Sequence, residues 1–220
     1  MKYQNMTPQS TVRRLPLYLR KLDHLIESGI QVTSSQELSS RTGFTAEQIR
    51  KDLAYFGAFG TRGKGYNTKF LREKILKIIG LDEQTNIVVV GVGHLGIAIT
   101  RYNVTKNPYV NVAAAFDIDP AIVGKKILDV EVLHISRLKE TAKKQDIRAA
   151  VLTVPAEHAQ AGFQSIVESG INVIYNFAPV KLPAMKGIYV HNADLSAELQ
   201  SIIYYATMLH KEKNKILAKK

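Results

Sequence analysis

The chain has 220 residues, 45% hydrophobic and 22% charged, with a net charge of +11. That suits one large or two smaller domains of a globular protein, each able to bury a core. The absence of cysteine excludes disulfides, thiol catalysis and cysteine-ligated metals. Met1-Lys2-Tyr3 leads into polar residues without an apolar signal core, and no apolar run approaches the ~18–20 residues of a spanning helix.

The charge is uneven. Residues 1–80 hold 14 Lys/Arg against 6 Asp/Glu (net +8), residues 81–210 hold 11 against 12 (net −1), and the last ten hold 5 against 1 (net +4). A basic amino-terminal module attracts nucleic-acid phosphates through counterion release. The Lys-rich tail reads as a solubilising surface.

In chain order, Leu15, Leu19, Leu22, Leu25 and Ile26 recur at helical spacing, with Pro16 early, where a first-turn proline is tolerated or a slight kink results, and Gly29 as a stop. Ser34-x-x-Glu37 is a capping box opening a short second helix, and Thr45-x-x-Gln48 opens a third after the turn Thr42-Gly43-Phe44. Two capped helices across a glycine turn make a helix-turn-helix. On the third helix, Ala46, Ile49, Leu53 and Phe56 share the apolar face, while Glu47, Arg50, Lys51, Ala54 and Tyr55 point outward. Arg and Lys suit guanine edges and phosphates, and Tyr suits phosphate. Gly57, Gly60, Gly63 and Gly65 then break the helix and predict a tight hairpin, a wing carrying Arg62 and Lys64 between Phe59 and Tyr66. The DNA-contacting set is therefore Gln48, Arg50, Lys51, Tyr55, Arg62 and Lys64. A further helix from Thr68 to Gly80 carries Phe70, Leu71, Ile75, Ile78 and Ile79 on its apolar side.

After Asp82-Glu83-Gln84 the pattern changes. Ile87–Val90 reads as a strand buried on both faces, followed at once by Gly91-Val92-Gly93-His94-Leu95-Gly96. The first glycine makes the turn, the second admits a pyrophosphate and the third lets the helix pack on the strand. A second strand, Val112–Phe116, ends at Asp117, an acid placed to accept from the adenine ribose and to disfavour NADP; Ile118 follows it. Further strands are expected at 149–154, 173–175 and 188–190, with a helix at 157–169. The ends Thr153-Val154-Pro155 and Asn176-Phe177-Ala178-Pro179 are placed to line the crevice on the nicotinamide side. From Asp194 a last helix shows an apolar stripe, Leu195, Leu199, Ile202, Ile203, Ala206 and Leu209, wide enough to bury against a partner.

The fold class is thus α/β: an amino-terminal winged helix-turn-helix (1–80), a Rossmann-type NAD(H)-binding domain (81–193), and a carboxyl-terminal dimerisation helix with a basic tail (194–220). The six histidines form no Ser/His/Asp set and no metal-spaced pair. His94 lies in the glycine loop, beside phosphate rather than in acid-base work. A regulator that senses a nucleotide is favoured; an NAD-dependent dehydrogenase or a CoA-binding regulator on the same fold remain alternatives.

Arg50-Lys51-Asp52-Leu53-Ala54-Tyr55-Phe56-Gly57 and Gly60-Thr61-Arg62-Gly63-Lys64-Gly65-Tyr66 resemble the redox-sensing transcriptional repressors of the Rex family. So do the glycine loop, Phe116-Asp117-Ile118-Asp119-Pro120, Leu152-Thr153-Val154-Pro155 and Asn176-Phe177-Ala178-Pro179, in the same order along nearly the whole chain. The resemblance implies a cytoplasmic homodimer with its last helix swapped between subunits. It also implies operator binding compatible with NAD⁺ and released by NADH. His94 stands where relatives often carry another polar residue; phosphate binding by the loop backbone is unaffected. The resemblance further implies roles near the nicotinamide for Tyr102 and Asp194, with Arg20 as the basic partner of Asp194 in an interdomain switch.

Overall fold

The computed structural model describes residues 7–57, 59, 60 and 63–217. The chain divides into two compact units, Met1–Glu83 and Gln84–Lys220.

Among its described residues the first unit holds four helices: α1 (Gln9–Glu27), α2 (Ser35–Thr42), α3 (Ala46–Ala54) and α4 (Thr68–Ile79). Leu15, Tyr18, Leu19, Leu22 and Leu25 of α1 are buried with Leu38, Ile49, Leu53, Leu71 and Ile75 from the other three helices. Each short helix opens on its expected cap: Ser34 Oγ accepts from the Glu37 N–H and Thr45 Oγ1 from the Gln48 N–H. Neither capping box closes reciprocally as far as the side-chain bonds go. The Glu37 carboxylate accepts from the Thr33 hydroxyl at 3.0 Å, and the Gln48 amide turns to Asp52.

Two expectations need correction here. Pro16 lies inside α1, well past its first turn, because the helix begins at Gln9. A mid-helix proline forfeits the bond to the carbonyl four residues back, here that of Val12, and Val12 is exposed, so water can satisfy that oxygen. The glycine-rich segment does not supply both strands of a hairpin among the described residues. Its strand β2 (Tyr66–Asn67) pairs antiparallel with β1 (Val32–Thr33), which lies between α1 and α2. Strands of two residues have too few ladder bonds to stand alone. This pair is held by flanking structure: the Thr68 hydroxyl donates to the carbonyls of Ile30 (2.7 Å) and Gln31 (3.1 Å).

The second unit is a seven-stranded sheet. Its strands are β3 (Thr85–Val90), β4 (Val110–Asp117), β5 (Lys126–Ile127), β6 (Val130–His134), β7 (Ala149–Leu152), β8 (Val173–Asn176) and β9 (Tyr189–Asn192). Their spatial order is β5-β6-β4-β3-β7-β8-β9, and every pairing is parallel except β5 with β6. Without β5 this is the doubly wound dinucleotide-binding order, reversing direction between β3 and β7. Strands β5 and β6, and the helix α6 (Leu138–Lys144), are additions to the elements expected from the sequence. Helices α5 (His94–Lys106) and α7 (Ala159–Glu168) follow β3 and β7. One core cluster centres on Phe116, Leu152, Phe163 and Ile174, and another on Val89, Ala115 and Val132.

The last helix, α8 (Leu195–Leu217), stands apart from this core. Leu195, Leu199, Ile202, Ile203, Tyr204, Tyr205, Met208 and Leu209 are all exposed, Ile202 by 61%. Among the described residues, no helix is long and apolar enough to cross a membrane.

Candidate functional site

A cleft of about 710 Å³ opens at the carboxyl ends of β3, β4 and β7, where the strand order reverses. The sequence builds it with one tight loop. Gly91 sits at φ +97°, and a side chain on it would meet the Thr153 carbonyl group and the Val154 side chain. A side chain on Gly96 would run into the Gly91 carbonyl oxygen, so the start of α5 can press against the strand only with glycine there. The Thr153 hydroxyl fastens the loop from the neighbouring strand end, donating to the Gly91 carbonyl at 2.7 Å. Helix α5 begins at His94 with no side chain capping it. Uncapped first-turn N–H groups and the positive helix end suit a pyrophosphate.

Asp117 closes the loop from the other side. Its Oδ2 accepts from the Val92 N–H at 2.6 Å, and its Oδ1 from the N–H groups of Ile118 (2.7 Å) and Asp119 (3.0 Å). An ionised carboxylate offers about four acceptor positions. Capacity for a ribose hydroxyl therefore remains, and the three backbone bonds fix where it points. The cleft's volume, its glycine floor and this carboxylate fit a dinucleotide.

Of the residues expected to bind the cofactor, Gly91, Val92, Gly93, His94, Leu95, Asp117, Ile118, Thr153, Val154, Pro155, Phe177 and Pro179 line this cleft. Gly96 lies buried beneath it. Asn176 and Ala178 are buried without lining it. The Asn176 amide donates to the Val180 carbonyl (2.8 Å) and to Asn192 Oδ1 (2.9 Å), while its oxygen accepts from the Ala178 N–H (3.0 Å). Asn176 thereby shapes the turn that presents Phe177 and Pro179. Tyr102 is 64% exposed and outside the cleft lining. Asp194 is exposed, and its Oδ1 accepts from the Ala197 N–H at 2.9 Å, at the start of α8. Arg20 is exposed on α1. The far wall of the cleft, Ile122, Ile135, His158 and Ser165, escaped the sequence reading. The alternation Val130-Glu131-Val132, a strand pattern leading to Ile135, was the one available signal, and it bears on Ile135 alone.

On the first unit, Glu47, Arg50, Lys51, Ala54 and Tyr55 are exposed along one side of α3, and Lys64 is exposed in the glycine segment. The Arg50 guanidinium donates to Ser35 Oγ at 2.9 Å, tying α3 to the first turn of α2. A cleft of about 620 Å³ lies between Ser34, Ser35, Arg50, Gly60 and Tyr66. Burial pushes the Tyr66 hydroxyl's pKa up, against the pull of Arg50. Arg62 lies outside the described residues, as do Ala58 and Thr61.

The side of α3 facing the core holds a residue that was not singled out. Asp52 is fully buried. Its Oδ1 accepts from Thr11 (3.1 Å), Arg14 Nη2 (2.7 Å) and Gln48 Nε2 (2.9 Å), and its Oδ2 from Arg14 Nε (2.6 Å) and the Tyr18 hydroxyl (2.7 Å). Burial alone would raise the carboxyl's pKa. The hydrogen bonds from Arg14, Tyr18, Gln48 and Thr11 outweigh it and hold the group below the usual carboxylate range. Arg14 is raised chiefly by its bond to Asp52, and Tyr18 is raised by burial and by that same acceptor. Gln48, expected among the DNA contacts, thus has one amide hydrogen committed inward.

Comparison with known proteins gives the same two-part division. Residues 7–54 match the family model "Putative DNA-binding protein N-terminus", and residues 82–180 match the model "CoA binding domain". A redox-sensing transcriptional repressor Rex from Natranaerobius thermophilus is 54% identical over 94% of this chain and 94% of its own. Another, from Listeria welshimeri, is 40% identical over 93% and 95%. The crystal structure of RSP in complex with beta-NAD+ and operator DNA superposes with a TM-score of 0.87 at 35% identity, covering 96% of this chain and 97% of that one. RSP in complex with beta-NADH superposes with a TM-score of 0.82 at 34% identity, covering 96% and 99%.

Proposed function

This chain belongs to the Rex family of redox-sensing transcriptional repressors, and from that premise we propose that it is a homodimeric repressor that reads NADH against NAD⁺ and leaves its operator when NADH binds. One observation carries the reading: a single chain bears both an exposed basic helix face and a glycine-floored cleft at the switch point of a doubly wound sheet. Its relatives over nearly the full length are repressors, so the chain is a regulator and not an enzyme. Acting on DNA, it works in the cytoplasm.

In this reading residues 1–80 form the winged-helix domain, 81–193 the NAD(H) domain and 194–220 the dimerisation helix and tail. Arg50, Lys51 and Tyr55, with Lys64 and Arg62 from the wing, grip the operator. A two-fold dimer suits a pseudo-palindrome with half-sites about one helical turn, or a multiple of it, apart. The glycine loop holds the pyrophosphate, and Asp117 accepts from the adenine ribose. Thr153, Val154, Pro155, Phe177 and Pro179 flank the nicotinamide. Tyr102, Asp194 and Arg20 serve the switch.

The match of residues 82–180 to a CoA-binding domain keeps CoA as a second ligand reading. The 3′-phosphate on the ribose of CoA would face the carboxylate of Asp117, whereas the hydroxyls of NAD would donate to it. Calorimetry with NADH and CoA separates the two.

The test of function is linkage. If NADH weakens operator binding, operator must weaken NADH binding by the same factor, typically about 5- to 150-fold per effector. NADH affinity is measured with and without saturating operator fragment at fixed salt. Identical values would show that the cleft does not control DNA binding.

A further inference from the structure

Gln48 lies in the first turn of α3, the second helix of the helix-turn-helix, where side chains of such motifs reach base edges. Its amide is not free to rotate. Asp52, one helical turn on, accepts from Gln48 Nε2 at 2.9 Å and from Arg14 Nε at 2.6 Å and Nη2 at 2.7 Å. A carboxylate paired to a guanidinium can only accept hydrogen bonds, so the nitrogen of the Gln48 amide, not its oxygen, must face it. Gln48 Oε1 accepts no hydrogen bond from the described residues, and none of their buried side-chain polar atoms lacks a partner, so Oε1 is open to solvent. Gln48 itself is half-buried, and α3 neighbours Glu47, Arg50 and Lys51 are exposed beside it.

We infer that Gln48 is a specificity-determining residue, that Asp52 is its positioning residue, and that together they present a fixed carbonyl acceptor to the major groove. The base feature that fits is an exocyclic amino group, N6 of adenine or N4 of cytosine. Guanine and thymine offer only acceptors on the corresponding edge and are rejected. An unbuttressed glutamine could flip its amide and accept either class. The buttress from Asp52 removes that freedom, so the donor requirement is set from inside the domain by Arg14, on a different helix. This rests on the operator-binding reading.

The experiment uses the full chain. The preferred duplex is first selected from random-sequence DNA. Each adenine in it is then replaced singly by purine, and each cytosine by 2-pyrimidinone, which removes the amino group alone. The expected result is one position per half-site where wild type loses about 5- to 150-fold. At that position Gln48→Ala loses nothing further, while it stays sensitive at the others. Asp52→Asn reads the positioning role: the ratio of affinities between the selected duplex and its analogue should shrink towards one. A merely structural role would lower both affinities alike and leave the ratio unchanged. If Gln48→Ala responds to every analogue as wild type does, the assignment of Gln48 is overturned, and Gln48→Ala removes too little of the core for misfolding to confuse this. An unchanged ratio in a folded Asp52→Asn chain overturns the buttress. Failure of wild type to enrich any duplex would overturn the operator-binding reading itself, and the inference with it.

Discussion

Replacing Asp52 by Ala should cost the amino-terminal unit about 3–5 kcal/mol. Asp52 is fully buried and accepts five hydrogen bonds, two of them from Arg14. With the carboxylate gone, the Arg14 side chain, only 16% exposed, faces a hole with its charge uncompensated. Removing one partner of a buried ion pair typically costs about 3–5 kcal/mol. The hydroxyls of Thr11 and Tyr18 lose their acceptor as well, at about 1–3 kcal/mol each where no water replaces it. The cavity left by a carboxylate among polar groups admits water, which brings the total back to the ion-pair figure. Against a typical domain stability of about 5–15 kcal/mol this is a large fraction. Urea unfolding followed by far-UV circular dichroism gives the total, since the chain has no tryptophan. Amide hydrogen exchange locates it: protection should fall in α1 and α3 and persist in β3 and β7. Because the folded pKa of Asp52 is depressed, its stabilisation is fully present above the unfolded value of about 3.9. It fades as pH falls through the folded value. Asp52→Asn should therefore flatten the acid limb of the stability profile. A loss below about 1 kcal/mol for Asp52→Ala, or protection lost evenly through both units, would refute this account of the cluster.

Asp117→Ala should weaken NADH and narrow the margin over NADPH, because the carboxylate holds the Val92 N–H and is proposed to accept from the adenine ribose; equal wild-type affinity for the two in calorimetry would remove its ribose role. Gly96→Ala should abolish NADH binding and cost about 1–3 kcal/mol of stability, since the added methyl meets the Gly91 carbonyl oxygen and Thr153 Oγ1. Titration calorimetry with a thermal melt checks it, and wild-type affinity would mean the loop relaxes at no cost. Truncation after Ala193 should turn a dimer into monomers or aggregates in light scattering, because the apolar side chains of α8 are exposed in the single chain. A soluble truncated dimer that still binds DNA would sink the dimerisation role.

What could be read from sequence was local. The glycine loop, the apolar run before it and the acid after the next strand lie within about thirty residues. Each signals backbone geometry that side chains elsewhere cannot override. The caps of α2 and α3 are equally local and formed on the expected residues. Misses came where the signal was short or distant. Strand β5 has two residues, and α6 reads Leu-Lys-Glu-Thr-Ala-Lys-Lys, with too few apolar positions to show a period. The pairing of Val32–Thr33 with Tyr66–Asn67 crosses two helices and leaves no trace in either segment. Asp52 was hidden differently. Beside Arg50 and Lys51 it reads as part of a charged, solvated face, yet it stands three residues after Ile49 and one before Leu53, inside the buried arc. Its partners Arg14 and Tyr18, four apart on α1, present matching donors from one helix face. The arc and the facing pair were both in the sequence; only their juxtaposition was not.

The same division between local and long-range coding bears on redox sensing. NAD⁺ and NADH share their pyrophosphate and both riboses, and they differ by a hydride and the charge on one ring. In the proposed reading the glycine loop, the start of α5 and Asp117 address only the shared parts, so there they supply affinity but no discrimination. A ligand shifts a conformational equilibrium only through its differential affinity for the two states. Discrimination must come from groups at the ring. Within one chain the candidates are the turn shaped by Asn176, Tyr102 and Asp194, and the last two lie outside the cleft lining and are exposed. Asp194 also accepts from the Ala197 N–H at the start of α8, the helix whose apolar side chains face solvent. Whatever buries that helix therefore also fixes Asp194. If a second copy of the chain does so, dimer assembly and placement of the Asp194 carboxylate become one event, and in the proposed reading that carboxylate serves the nicotinamide ring. A monomer would then bind both forms of the dinucleotide with nearly equal strength, and the redox response would belong to the dimer.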